Sequence, residues 1–127
     1  MLDRIGYRPK AGLAHRGTLG FFTDDPTMKE AAITASIMRW LKTQPDVFCW
    51  KQVGTSMTMR GLPDIVGTVG GAALFLEVKT ETGKVSASQA SVHRRIFEAG
   101  SAVSVVRSLK GAQLAVSILR EKSLSSA

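Results

Sequence analysis

The chain has 127 residues, 44% of them hydrophobic, which is enough for one domain with a sizeable core and too short to expect two. No apolar run approaches the ~18 residues of a membrane span, no apolar stretch follows the basic start at Arg4, Arg8 and Lys10, and the lone Cys49 excludes an internal disulfide framework or a multi-cysteine zinc site. Seventeen Lys and Arg against ten Asp and Glu give a net charge of +7 and an isoelectric point near 10.1, which suits a polyanion, with an acidic partner or a membrane surface as the plainer alternative. A cytoplasmic, soluble protein is expected.

Residues 1–25 contain Gly6, Pro9, Gly12, Gly17 and Gly20 and no sustained apolar period, so they read as a basic, largely irregular arm. Arg16 and its basic neighbours could follow a phosphate backbone or simply be solvated. A folded domain is expected over 26–122, with a short tail at 123–127. The first helix signal is "DDPTMKEAAITASIMRWLKTQ": Asp25 or Thr27 can cap it, Pro26 suits its first turn, and Ile33, Ile37 and Leu41 form an apolar stripe. Glu30 lies on or beside that stripe, an unexpected place for an acid unless the helix dipole alone explains it. "DVFCWKQV" reads as a strand and "GTSMTMRGLP" as an irregular crossing. "DIVGTV" is a second strand, Gly70-Gly71 a hairpin turn and "AALFLEVKTE" a third. After the loop "TGKVS", Ser86 or Ser88 can cap a helix through "QASVHRRIFEA", with Gly100 closing it. "AVSVVRS" is a fourth strand, and "GAQLAVSILREK" a final helix with Leu114 and Ile118 four apart. The order α-β-β-β-α-β-α is that of a mixed α/β layer, whose helical crossover permits one parallel strand pair.

The third strand is the chemically odd one. Side chains alternate across a sheet, so Leu74, Leu76 and Val78 share one face while Phe75, Glu77 and Lys79 share the other. Charges on an apolar strand are costly unless paired, metal-bound or useful. The Gly70-Gly71 turn folds Asp64 back toward Glu77, and carboxylates beside a lysine make a usable Mg²⁺ site for phosphodiester hydrolysis. Glu-x-Lys alone would more ordinarily be a cross-strand ion pair.

The complete spacing, "GLPDIVG" followed by "LEVKTETGKVSASQ", resembles the PD-(D/E)xK nuclease superfamily, and within it the VRR-NUC family in its stand-alone phage and bacterial form. The resemblance runs from about Glu30 to Arg107. It implies a restriction-endonuclease-like fold, a mixed β-sheet flanked by helices. It also implies Glu30, Asp64 and Glu77 as metal ligands, Lys79 as the catalytic lysine, and Gln89 as a residue shaping the site or placing the water. The implied cofactor is Mg²⁺, with Mn²⁺ a substitute, and no small-molecule cofactor. The implied activity is a structure-specific DNA endonuclease of a bacterial or phage-infected cell. A homodimer resolving Holliday junctions is the expected form, acting on branched DNA away from membranes. Alternatives are a flap or nicking repair nuclease and a non-catalytic DNA-binding replication accessory module.

Arg60, Lys84, Arg94 and Arg95 are further candidates for DNA contact, or else a solvated basic surface. His93, four residues after Gln89, can share its face; it reads more simply as an exposed helix histidine than as a DNA contact. Cys49 reads as buried core, and Trp40 and Trp50 as core or interface anchors rather than base-stacking platforms.

Overall fold

A computed structural model describes residues 28–55 and 57–126. The expectations for residues 1–25, Arg16 among them, and for helix caps at Asp25, Pro26 and Thr27 lie outside the described residues. The observed order is α1 (Glu30–Leu41), β1 (Val47–Lys51), β2 (Ile65–Val69), β3 (Ala72–Val78), α2 (Ala87–Glu98), β4 (Ser104–Val106) and α3 (Leu109–Ser126). It matches the order expected from the sequence. The strands lie in the order β1-β2-β3-β4, with β1/β2 and β2/β3 antiparallel and β3/β4 parallel. This is a restriction-endonuclease-like α/β fold.

The antiparallel hairpin between β2 and β3 turns on Gly70 and Gly71, both at positive φ (55° and 91°), as a two-residue hairpin turn requires. The parallel pair needs a crossover, and α2 supplies it. At the start of α2, Ser86 and Gln89 form a reciprocal capping box, which fixes where the helix begins.

One face of the sheet is sealed. Ile65 and Val69 of β2 and Leu74, Leu76 and Val78 of β3 are buried there against Ile33, Ile37 and Leu41 of α1. The same layer takes Ala112, Ala115 and Val116 of α3. Each buried Val, Leu or Ile contributes about 1.5–3 kcal/mol relative to an exposed one, so this layer carries most of the stability. Arg120 fastens α3 to the turn before β1 by donating from Nε and Nη2 to Asp46, at 2.9 and 2.6 Å.

The structure adds one fact and corrects three expectations. Leu114 and Ile118 of α3 do not face the core: they are 62% and 49% exposed. The small side chains of Ala112 and Ala115 let α3 approach the sheet closely, and that turns the larger residues outward. Cys49 is only half-buried, because β1 is an outer strand. The third strand ends at Val78, since Lys79 and the residues beyond it enter the loop to α2. The last helix, in turn, runs four residues past its expected end at Lys122.

Candidate active site

The opposite face of the sheet is built differently. Ile65 pairs with Leu76, so extending that antiparallel register by one residue sets Asp64 across from Glu77. Directly opposed residues point to the same side, so both carboxylates leave the sheet together. Asp64 enters β2 from the Gly61–Pro63 turn, where Gly61 has φ 83° and lies against the first turn of α2. A Cβ on Gly61 would collide with the backbone carbonyl of Ser88. This one glycine therefore permits the close approach that brings the Asp64 turn to the residues beside Gln89.

Asp64 is held by its Oδ2, which accepts from the backbone N–H of Val78 at 2.7 Å. Glu77 is the more constrained acid, with 1% of its surface exposed. Gln89 donates from Nε2 to Glu77 Oε2 at 3.0 Å, and His93 Nε2 lies 3.2 Å from Glu77 Oε1. Both carboxylate oxygens are thus gripped from α2. The other end of the Gln89 amide is also committed, because its Oε1 accepts from the Ser86 N–H at 2.9 Å. Gln89 shapes the site by coupling the helix start to the Glu77 carboxylate.

The electrostatics are those of an acid without enough positive charge around it. Burial, then a hydrogen bond to Asp64 and the charge of Asp64, push the Glu77 carboxyl from 4.5 up to about 8. Lys79 opposes this rise, and Glu30 adds to it. His93 moves the other way: burial and the Lys79 charge hold its imidazole below the usual value, with Asp64 opposing. Both shifts favour the uncharged forms of Glu77 and His93.

Every described site residue expected from the sequence can be placed. Asp64, Glu77 and Gln89 come together in one hydrogen-bonded set. Lys79 is half-buried beside it, and its charge acts on both Glu77 and His93. Glu30 is exposed on the first turn of α1 and reaches Glu77 through its charge. Arg60, Lys84, Arg94 and Arg95 are all exposed. His93 is corrected from an exposed helix residue to a site residue: its side chain is 17% exposed and touches Glu77. Its spacing of four from Gln89 was the available signal. Arg107 was not singled out from the sequence. Its Nη1 donates to the carbonyls of Thr80 and Gly83 at 2.6 and 2.8 Å, tying down the loop that follows Lys79. Nothing local to Arg107 announces a bond to residues more than twenty positions earlier.

The donor chemistry fits a hard divalent cation. Among the described residues no three His, Cys, Asp or Glu side chains form a ready metal cage. Mg²⁺ does not need one, since it is commonly bound through one or two carboxylates together with waters and substrate phosphate. Asp64 and Glu77 would provide that pair, and the raised Glu77 pKa marks the charge that a cation would balance.

The arrangement defines a class before it defines a relative: an α/β layer with paired carboxylates and a lysine at the open end of its central hairpin. Among solved structures, one described as a VRR_NUC domain superposes with a TM-score of 0.60 at 24% identity, covering 72% of this chain and 97% of its own. A second, described as a VRR_NUC domain protein, gives 0.59 at 15% identity over 73% of this chain and 86% of its own. The chain has the fold of a VRR-NUC domain. No family sequence model and no curated protein matches it.

Proposed function

We propose that the protein is a metal-dependent DNA endonuclease that hydrolyses phosphodiester bonds at the Asp64–Glu77–Lys79 site. The observation that carries this reading is Glu77 itself: a carboxylate buried to 1% exposure, opposite a second acid and clamped at both oxygens, beside a lysine. Burying such a charge has a structural cost, and nothing in the core benefits from it. When bound between the carboxylates, Mg²⁺, or Mn²⁺ in its place, would supply Lewis acidity toward a phosphate oxygen and a water of lowered pKa.

The protein's own residues do the rest. Asp64 and Glu77 present oxygen donors on one side of the sheet, with Glu30 as a further acid at its margin. Gln89 and His93 keep the Glu77 carboxylate from rotating, so its geometry is set before substrate arrives. Lys79 places a positive charge where negative charge builds up on the phosphate in the transition state. The exposed Arg60, Lys84, Arg94 and Arg95, in a chain of net charge +7, supply backbone-directed attraction.

Branched DNA is the substrate that this reading favours, with a homodimeric Holliday junction resolvase as its specific form. Two sites related by a two-fold axis would cut opposing strands of a two-fold symmetric junction. The exposed Leu114 and Ile118 on α3 are the kind of surface that such a pairing would cover. The test is incubation with labelled four-way junction, flap, nicked duplex and linear duplex, in Mg²⁺ and in EDTA, beside a Lys79→Ala control. Paired symmetric cuts in the junction, lost in EDTA and in the control, are expected. Preference for flaps or nicks would replace the junction assignment. Tight binding without cleavage of any form would replace the enzyme by a binding module.

A further inference from the structure

β1 is the outer strand on one side of the sheet, and its register assigns its side chains to faces. Trp50 pairs with Val66 and Phe48 with Thr68, and Val66 in turn pairs with Phe75. Phe48, Trp50, Val66 and Phe75 therefore project to the same side as Asp64 and Glu77. α2 roofs the carboxylate end of this face through Gln89 and His93, but it leaves the aromatic pair of β1 open. Phe48 is 71% exposed and Trp50 45% exposed, and their ring centroids are 5.9 Å apart at an angle of 54°. The rings are tilted rather than stacked face to face.

We infer that Phe48 and Trp50 form a stacking platform for an unpaired base of the DNA strand whose phosphate lies at Asp64 and Glu77. The inference rests on the nuclease reading above and adds a determinant of substrate choice. Distance supports it: Trp50 is one same-face step along the sheet (~7 Å) and one strand across (~5 Å) from Asp64, a separation on the scale of a nucleotide. Charge supports it as well. Beyond Asp64 and Glu77 this face carries no acid within the strands, and Lys79 lies beside those two carboxylates. An apolar patch in such surroundings suits an aromatic ring carried on a polyanion better than the acidic rim of a protein partner.

The consequence is a physical filter. In intact duplex every base is already stacked and paired, so presenting one to Trp50 costs its unstacking. At a branch, flap or frayed end that cost is absent, and stacking on an aromatic ring is gained whatever the base identity. The platform would favour branched over continuous DNA without reading sequence.

The test uses the full chain with Ca²⁺ in place of Mg²⁺, a forked duplex carrying 2-aminopurine at its first unpaired position, and a blunt duplex of equal length. The double variant Phe48→Ala/Trp50→Ala is expected to bind the fork about tenfold more weakly and to lose the quenching of 2-aminopurine. Its affinity for blunt duplex and its melting temperature should stay the same, and Trp50→Phe should keep most of the fork affinity. Equal weakening on both DNAs, or none on the fork, would overturn the platform while leaving the nuclease reading in place. A change in sedimentation of the DNA-free variant would also overturn it, by assigning the aromatic pair to self-association. Failure of the unaltered protein to bind any of these DNAs would remove the nuclease reading, and the platform with it.

Discussion

The two faces of the central hairpin come from the same residues in alternation, yet they are built to opposite standards. On one face Leu74, Leu76 and Val78 are sealed by α1 and α3 in an apolar layer with no charge in it. On the other, Glu77 is equally buried, but it is surrounded by Asp64, Gln89, His93 and the charge of Lys79. The first face gains stability from every atom it buries. The second gives up stability to hold a carboxylate where water cannot relax it. Apolar packing and the acidic cluster are thus separated by one residue step along a single strand, and on the proposed reading substitutions on the two faces should have opposite signatures.

The largest contrast is expected at the carboxylates. Glu77→Gln or Asp64→Asn should lower the cleavage rate by ~10³-fold or more, because the proposed cation site loses a ligand and its charge together. Glu77→Gln should at the same time leave the melting temperature at pH 8 unchanged or raised, because a strained buried acid is gone. A fall in melting temperature matching the fall in rate would break the comparison. On the sealed face, Leu76→Ala should cost about 2–5 kcal/mol in denaturant unfolding. The fraction that remains folded should cleave at close to the unaltered rate, which single-turnover assays at low temperature would measure.

A smaller effect separates the faces through pH. The Glu77 carboxyl is raised to about 8, so its contribution to stability is complete below its unfolded value of 4.5 and is lost as pH rises through 8. His93 is lowered from 6.5, so its contribution acts in the opposite sense and only as pH falls below that value. The window between pH 6.5 and 8 therefore isolates Glu77. In EDTA the melting temperature should drop by at least ~5 °C across that window. Mg²⁺ should remove most of the drop, and Glu77→Gln should abolish it. A flat profile for the unaltered protein would show that Glu77 is already charge-balanced.

The smallest expected change is at His93. Its one contact among the described site residues is to Glu77, so on the proposed nuclease reading His93→Ala should lower the cleavage rate about tenfold, in line with the loss of one buried hydrogen bond. His93→Gln, which can still donate toward Glu77 Oε1, should recover much of that rate. Failure of the glutamine to rescue, with the fold intact, would mean that His93 does more than hold the carboxylate.

Much of this could be read from the chain before any coordinates. Apolar spacing of three and four gave α1, alternation and glycine pairs gave the hairpin, and the candidate caps Ser86 and Ser88 announced the start of α2, because each depends on residues a few positions apart. The charged face of β3 stood out for the same reason: alternation is a local rule, and Glu77 and Lys79 violate the apolar expectation within it. The pairing of Asp64 with Glu77 was legible because a two-residue turn fixes the register of both strands.

What the sequence could not settle is everything that depends on which surfaces meet. The turning of Leu114 and Ile118 to solvent follows from the closeness allowed by Ala112 and Ala115, a packing outcome that spacing of four alone cannot distinguish. The exposure of Phe48 and Trp50 follows from the outer position of β1, and the recruitment of His93 and Arg107 from contacts sixteen and more residues away in the chain. The raised pKa of Glu77 likewise comes from the tertiary structure, because a carboxyl pKa is set by the burial and neighbouring charges that folding imposes, and the sequence specifies neither distance nor dielectric.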